Sequence, residues 1–185
     1  PMAIETELKL SLPASVLPKL RRHALLAGVK PQRQRLANTY YDTVDLALKQ
    51  RRIALRHRTT SWGQLLTVKS AEPAAGGLAQ RSEWEAPSLP GVFDFSHVDD
   101  KLLRRWLEEL TPNLLPLFTT DFLRTTWVVA PAPGTRIEVA LDRGAVSCGA
   151  REDPICEIEL ELIEGPVSAL FDLALALQED LPLRP

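Results

Sequence analysis

Stretch after stretch of this chain sets apolar side chains on one face against charges of both signs on the other. From Ile4 to Leu12 the alternation is strict: Ile4, Leu8, Leu10 and Leu12 point one way, and Glu5, Glu7, Lys9 and Ser11 the other. Ile155 to Ile163 repeats it, with Glu157, Glu159 and Glu161 opposite Ile158, Leu160 and Leu162. Ile53 to Arg58 places Ile53, Leu55 and His57 against Ala54, Arg56 and Arg58, while Gly63 to Lys69 has Thr67 and Lys69 on one face. Gln80 to Glu85 groups Arg81, Glu83 and Glu85, and Phe118 to Val129 groups Thr120, Phe122, Arg124 and Thr126. A period of two specifies strands. Gln34 to Asp42 and Thr135 to Leu141 add two more.

The connections are short. Ala14 to Leu26 has helical spacing (Val16, Leu17, Leu20, Leu25) and stops before Gly28. Asp42 to Asp45 reads as a turn, residues 71–79 as a Pro/Gly loop, and Ala132-Pro133-Gly134 as a turn, with Gly144 near the next one. Residues 98–110 predict a helix burying Leu102, Leu103, Trp106 and Leu110, and a last helix runs from Pro166 to Gln178. Roughly eight strands with inserted helices make an α+β, antiparallel pattern.

Charged faces of this kind can be a solvated sheet surface with cross-strand ion pairs. Two details point elsewhere. Glu157, Glu159 and Glu161 repel one another unless cations sit among them, and the basic partners are mainly Arg, which suits bidentate contact with phosphate. A closed barrel reconciles these facts, because its strands have an inside and an outside in alternation. With the charges inside, the lumen becomes a hydrophilic tunnel that needs metal ions and a polyanion to balance it. The amphipathic helices would then cover the apolar outside.

Composition narrows the function classes. The net charge of −2 over 185 residues argues against a general nucleic-acid binder. No apolar run reaches the ~18 residues that span a bilayer, and no signal-peptide core precedes the first strand. Cys148 and Cys156 form neither a CxxC nor a disulfide framework and read as reduced, which suggests a cytoplasmic protein. His23 reads as a surface helix residue, His57 as pointing outward between two arginines, and His97 as a loop residue; none has zinc-ligand spacing with Cys. Trp62, Trp84, Trp106 and Trp127 read as packing residues, and Tyr40 and Tyr41 as structural. There is no GxxxxGK[ST] or GxGxxG, and no serine with a partnered histidine.

The order of motifs resembles the CYTH domain, or triphosphate tunnel metalloenzyme, family, most like its bacterial inorganic triphosphatases. Glu5-Thr6-Glu7-Leu8-Lys9 matches the ExExK signature. Asn38-Thr-Tyr-Tyr-Asp42, Leu55-Arg56-His57-Arg58, Thr67-Val68-Lys69, Arg81-Ser-Glu83-Trp-Glu85, Arg124, Glu138-Val-Ala-Leu-Asp142-Arg-Gly144 and Glu157-Ile-Glu159-Leu-Glu161 follow in family order. The resemblance implies a closed eight-stranded antiparallel tunnel with flanking helices over residues 2–180, holding triphosphate or polyphosphate with Mg²⁺ or Mn²⁺.

Carried over by motif, Glu5, Glu7 and Glu159 would hold metal on the phosphate, and Glu157, Glu161 and Asp142 a second metal and its water. Lys9, Arg56, Arg58, Lys69, Arg81 and Arg124 would grip phosphate oxygens, with Glu83, Glu85 and Glu138 positioning them. The expected reaction is hydrolysis of inorganic triphosphate to pyrophosphate and phosphate, without nucleic-acid or membrane partners. Thiamine triphosphatase, another organic triphosphate hydrolase, class IV adenylate cyclase and a non-catalytic polyphosphate-binding module stay open. The cyclase form usually has His-Phe before its ExExK, where this chain has Pro1-Met-Ala-Ile4. Residues 181–185 resemble the start of a linker that, in many bacterial relatives, leads to a C-terminal CHAD domain.

Overall fold

The structure, a computed structural model, describes residues 2–71 and 78–185. Eight antiparallel strands close into a barrel: β1 Ala3–Ser11, β2 Gln32–Asp42, β3 Ile53–Thr59, β4 Gln64–Ala71, β5 Leu78–Pro87, β6 Leu115–Ala132, β7 Thr135–Cys148 and β8 Arg151–Glu164. Around the barrel they run β1-β5-β4-β3-β2-β6-β7-β8. Closure leaves no free edge, so every residue of the period-two pattern is committed to the inside or the outside.

The barrel is inverted relative to a water-soluble sheet with one solvated face, because its apolar side is the outer one. On one flank Leu8 and Leu10 of β1, Trp127 of β6, Val139 of β7 and Ile158 and Leu160 of β8 form a buried cluster. Leu17 and Leu20 of α1 (Leu17–Arg21), Leu26 of α2 (Ala24–Ala27) and Leu170, Leu173 and Leu177 of the last helix cover it. On the other flank Leu55, Leu66, Val68 and Trp84 of β3–β5 pack under Leu48 of α3 (Ala47–Gln50), Leu107 of α4 (Lys101–Leu110), and Phe95 and Val98 of the loop that precedes α4. The last helix, α5, spans Ser168–Gln178. After it, Leu181 and Leu183 are buried in the first cluster, and Arg184 pairs with Ser11 through two backbone hydrogen bonds of 2.6 and 3.0 Å. Among the described residues, no helix is long and apolar enough to cross a membrane.

Several local expectations change. The helix expected over Ala14–Leu26 is a 3₁₀ turn (Ala14–Val16), then α1, then α2. The break is at His23, whose extended backbone makes it the N-cap of α2, with its Nδ1 accepting from Leu25 N at 3.1 Å. Its Nε2 meets Asp180 Oδ2 at 2.7 Å, so His23 is a largely buried joint and not a surface residue. His57 does point outward, but it is buried between the Tyr41 hydroxyl (3.1 Å) and Val92 O (2.9 Å). The turn at Asp42 continues into a further short helix, α3. The Asp42 carboxylate accepts from the backbone N–H groups of Thr43, Leu48 and Lys49, a capping role that short-range pattern does not reveal.

On α4 the buried stripe is Leu103, Trp106, Leu107 and Leu110, while Leu102 is 79 % exposed. The i, i+4, i+7 row starting at 103 wins over the one starting at 102. Trp62, expected to pack, is also exposed. Gly144 lies inside β7, far from the turn at Gly149. A Cβ there would come within 2.0 Å of Asp121 O and 2.5 Å of Phe122 Cα, so β6 and β7 approach too closely for any side chain. Of the loop expected over 71–79, residues 72–77 lie outside the described residues, Ala71 ends β4, and Leu78 and Ala79 already belong to β5.

Candidate active site

Every strand contributes to a cavity of about 540 Å³ inside the barrel. All the expected site residues except Glu138 line it: Glu5, Glu7 and Lys9 on β1, Arg56 and Arg58 on β3, Lys69 on β4, Arg81, Glu83 and Glu85 on β5, Arg124 on β6, Asp142 on β7, and Glu157, Glu159 and Glu161 on β8. Glu138 sits opposite Glu161 in the β7–β8 register, and its charge acts on Arg124 and Glu161. Sequence reasoning missed Tyr40, Phe118, Val146 and Ile155 as lumen residues. Their phase was available: 118 continues 120, 122 and 124, and 155 precedes 157, 159 and 161. Val146 was hidden by the strand ending assigned too early, at Leu141.

One sector of the lumen is acidic. Carboxylate oxygens of Asp142, Glu157 and Glu159 lie within 4.8 Å of one another. Lys9 Nζ stands 3.5 Å from both Glu157 and Glu159. Arg124 grips Asp142 with two bonds of 2.8 Å and reaches Glu159 at 3.4 Å. Burial opposes the Arg124 charge, but the hydrogen bond and charge of Asp142, then that of Glu159, raise its pKa above the ordinary value. Burial likewise opposes the Lys9 charge, yet Glu159, Glu157 and Glu7 raise its pKa.

The remaining carboxyls pair with one another. Glu83 is pushed up to about 7 by burial and by its hydrogen bond to Glu5. Glu5 is held below the usual range, since that bond and Lys69 outweigh its burial. Lys69 Nζ lies 2.9 Å from Glu5 and 3.3 Å from Glu83. Glu7 is raised by burial and by Glu159, while Arg124 and Lys9 outweigh burial and lower Glu159, which accepts a hydrogen bond from Glu7. Burial, then Glu5, Glu138 and Glu7, push Glu161 up to about 7. Carboxyls forced to share protons form an arrangement that a divalent cation relieves. The expectation put Glu159 with Glu5 and Glu7; the geometry also sets it against Asp142 and Glu157.

The other sector is cationic. Arg58 is lowered to about 10 by burial and by the charges of Arg56 and Arg124. Its Nε donates to Asn38 Oδ1 at 2.8 Å, and Asn38 Nδ2 donates to Thr120 Oγ1 at 2.9 Å, which fixes the guanidinium. Arg56 reaches Glu85 only at 3.8 Å, and Thr67 occupies the same Glu85 oxygen at 2.7 Å. The buried Nε atoms of Arg56 and Arg81 have no hydrogen-bond partner among the described residues. Buried guanidiniums that repel one another and keep free donors call for a polyanion.

The CYTH domain profile aligns with residues 3–184, nearly the whole of the chain that builds this barrel and its lumen. The chain belongs to the CYTH domain family. An inorganic triphosphatase of Haemophilus influenzae is 34 % identical over 182 aligned residues, 92 % of this chain and 48 % of that protein. The CYTH chain therefore spans about half the length of that relative. Among solved structures, a Hippeastrum protein described as an adenylyl cyclase with a dominant triphosphatase activity superposes with a TM-score of 0.65 at 22 % identity, over 97 % of this chain and 90 % of that one. A Bacillus halodurans protein described as a candidate adenylate cyclase gives 0.61 at 22 % identity, over 95 % and 89 %. These two similarities show the shared tunnel fold.

Proposed function

We propose that this CYTH domain hydrolyses inorganic triphosphate to pyrophosphate and phosphate with the help of Mg²⁺ or Mn²⁺. The observation that carries the reading is the juxtaposition in one enclosed lumen of three clustered carboxylates with buried arginines that lack enough counter-charge. The name of the Haemophilus relative supports triphosphate as the substrate.

Arg56, Arg58 and Arg124 would bind the non-bridging oxygens of the phosphate chain, in the geometry guanidinium suits best. Arg81 would join them, whereas Lys69, Lys9 and Arg124, now engaged with carboxylates, would exchange part of those contacts for phosphate. Phosphoryl transfer asks mainly for positioning and charge neutralisation, and buried donors that need no reorganisation supply both. Asp142, Glu157 and Glu159, with Glu7 adjoining, form an all-oxygen donor set that fits a hard divalent cation, which when bound would neutralise phosphate charge and acidify a water. Glu5, Glu83 and Glu85 would hold Lys69 and Arg56 in place. Polyphosphate binding, a cytoplasmic setting and a CHAD domain in the same natural chain complete the reading; the Haemophilus relative, of which this chain covers 48 %, shows only that a relative is longer.

Phosphate release from inorganic triphosphate, ATP, thiamine triphosphate and long-chain polyphosphate, each with Mg²⁺, Mn²⁺ or EDTA, tests the proposal. Inorganic triphosphate is expected to be the best substrate, with EDTA abolishing turnover. Full turnover in EDTA, or a clear preference for an organic triphosphate, would overturn it.

A further inference from the structure

The two arginines of β3 flank a histidine that the lumen does not use. His57 lies between Arg56 and Arg58, and strand alternation sends it to the opposite side of the sheet. There it is 7 % exposed, and both ring nitrogens are engaged. Nε2 meets Val92 O at 2.9 Å; a carbonyl only accepts, so Nε2 carries the hydrogen. The neutral ring then leaves Nδ1 to accept from the Tyr41 hydroxyl at 3.1 Å. Burial pushes the Tyr41 phenol up, which keeps that donor protonated. Tyr41 stands edge-on to the imidazole with centroids 5.3 Å apart, and Phe93 lies against it at 5.1 Å. His57 therefore ties β3 to two partners: the end of β2 beyond its register shift, and the loop between β5 and α4.

Those ties matter most for Arg56. Arg58 has its own anchor in the lumen, the 2.8 Å bond to Asn38. Arg56 is held more loosely. Its Nη2 lies 3.8 Å from a Glu85 oxygen that Thr67 already occupies at 2.7 Å, and its Nε lacks a hydrogen-bond partner among the described residues. The two guanidiniums also repel each other. With little to hold Arg56 at its tip, its aim is set at its root, by the backbone of β3. Successive side chains of a strand leave one backbone in opposite directions. A contact that fixes the rotation of β3 on the outside therefore fixes it on the inside as well.

We propose that His57 is a positioning residue for substrate binding, whose two hydrogen bonds set the rotation of β3 that aims Arg56 at the phosphate chain. This rests on the triphosphate reading of the same lumen. His57 touches no substrate; it acts through Arg56, while Arg58 keeps its place through Asn38.

His57→Phe keeps an aromatic ring and deletes both bonds. Calorimetric titration with inorganic triphosphate should show Kd rising about threefold to tenfold, the net worth of one neutral hydrogen bond. His57→Gln offers one donor and one acceptor again and should recover most of the affinity. The decisive comparison is a double-variant cycle. Added to Arg56→Ala, His57→Phe should leave Kd where it is; added to Arg58→Ala, it should cost the full factor. Should His57→Phe not fold, Tyr41→Phe removes the donor to Nδ1 alone and carries the same cycle, with Kd expected to rise about threefold. Wild-type affinity in whichever variant folds, no recovery in His57→Gln, or equal losses in the Arg56→Ala and Arg58→Ala backgrounds would leave His57 as a packing residue and overturn the inference while the lumen reading stands. Failure of the wild-type protein to bind triphosphate would overturn the proposed function, and this inference with it.

Discussion

Arg124 is the hinge between the two sectors, and replacing it by alanine should be the most informative single change. Its guanidinium makes two 2.8 Å bonds to Asp142, a residue only 2 % exposed, and a weaker one to Glu159. Arg124→Ala leaves the Asp142 carboxylate buried beside Glu157 and Glu159 without its main counter-charge. Breaking a buried pair from one side costs about 3–5 kcal/mol. For a chain of this length each kcal/mol lowers Tm by roughly 2–4 °C, so a fall of roughly 6–20 °C is expected. Arg104, which meets Glu108 at 3.6 Å on the exposed face of α4, supplies the contrast. Arg104→Ala should cost at most about 0.5 kcal/mol.

Adding Asp142→Asn to Arg124→Ala removes the stranded charge and should restore most of the loss. Added Mn²⁺ should likewise stabilise Arg124→Ala more than the wild type, since the trio of carboxylates no longer has Arg124 as a competitor. Thermal denaturation of the four proteins, with and without Mn²⁺, measures all of this. A loss under about 1 kcal/mol for Arg124→Ala, or no recovery in the double variant, would refute the reasoning.

Glu159→Gln keeps shape but removes a charge from the carboxylate trio, so phosphate release should fall at least tenfold while the fold survives in circular dichroism. Without metal, Glu83 and Glu161, both pushed up to about 7, bind more protons folded than unfolded. Their contribution is therefore fully present below the unfolded value of 4.5 and is lost as pH rises through about 7. In EDTA, Tm should fall between roughly pH 5 and pH 8, and Glu161→Gln should flatten that slope; Glu5 and Glu159, shifted downward, titrate below this window. Gly144→Ala drives a Cβ into Asp121 O and the Phe122 backbone, so it should cost about 1–3 kcal/mol or more in urea unfolding.

The barrel was legible because period-two alternation survives along every strand, and closing the sheet is what lets charge sit on an inner face. The lumen residues were legible for the same reason: Glu5, Glu7 and Lys9, or Glu157, Glu159 and Glu161, keep phase. What stayed hidden depends on contacts distant in sequence. Asp42 caps α3 through residues up to seven positions away. His23 breaks a helical pattern by capping α2, and its other nitrogen reaches Asp180 from 157 positions along the chain. The grouping of carboxylates was also beyond sequence, because β8 lies between β1 and β7 and sets Glu159 opposite Lys9 on one side and Ala140 on the other. Glu157 accompanies Glu159 by alternation on β8, and the β7–β8 register, which sets Asp142 opposite Glu157, adds Asp142. Tyr40 read as structural because alternation shows a side of the sheet and gives no sign of which aromatic residue meets a cation cluster.

The central claim is that metal and triphosphate meet inside the barrel, and a crystal of the protein with Mn²⁺ and inorganic triphosphate tests it most directly. Anomalous Mn signal should fall beside Asp142, Glu157 and Glu159, with phosphate density running between Arg56, Arg58 and Arg124. Manganese and triphosphate bound only on the outer surface, with the Arg124–Asp142 pair and the lumen unchanged, would contradict the account.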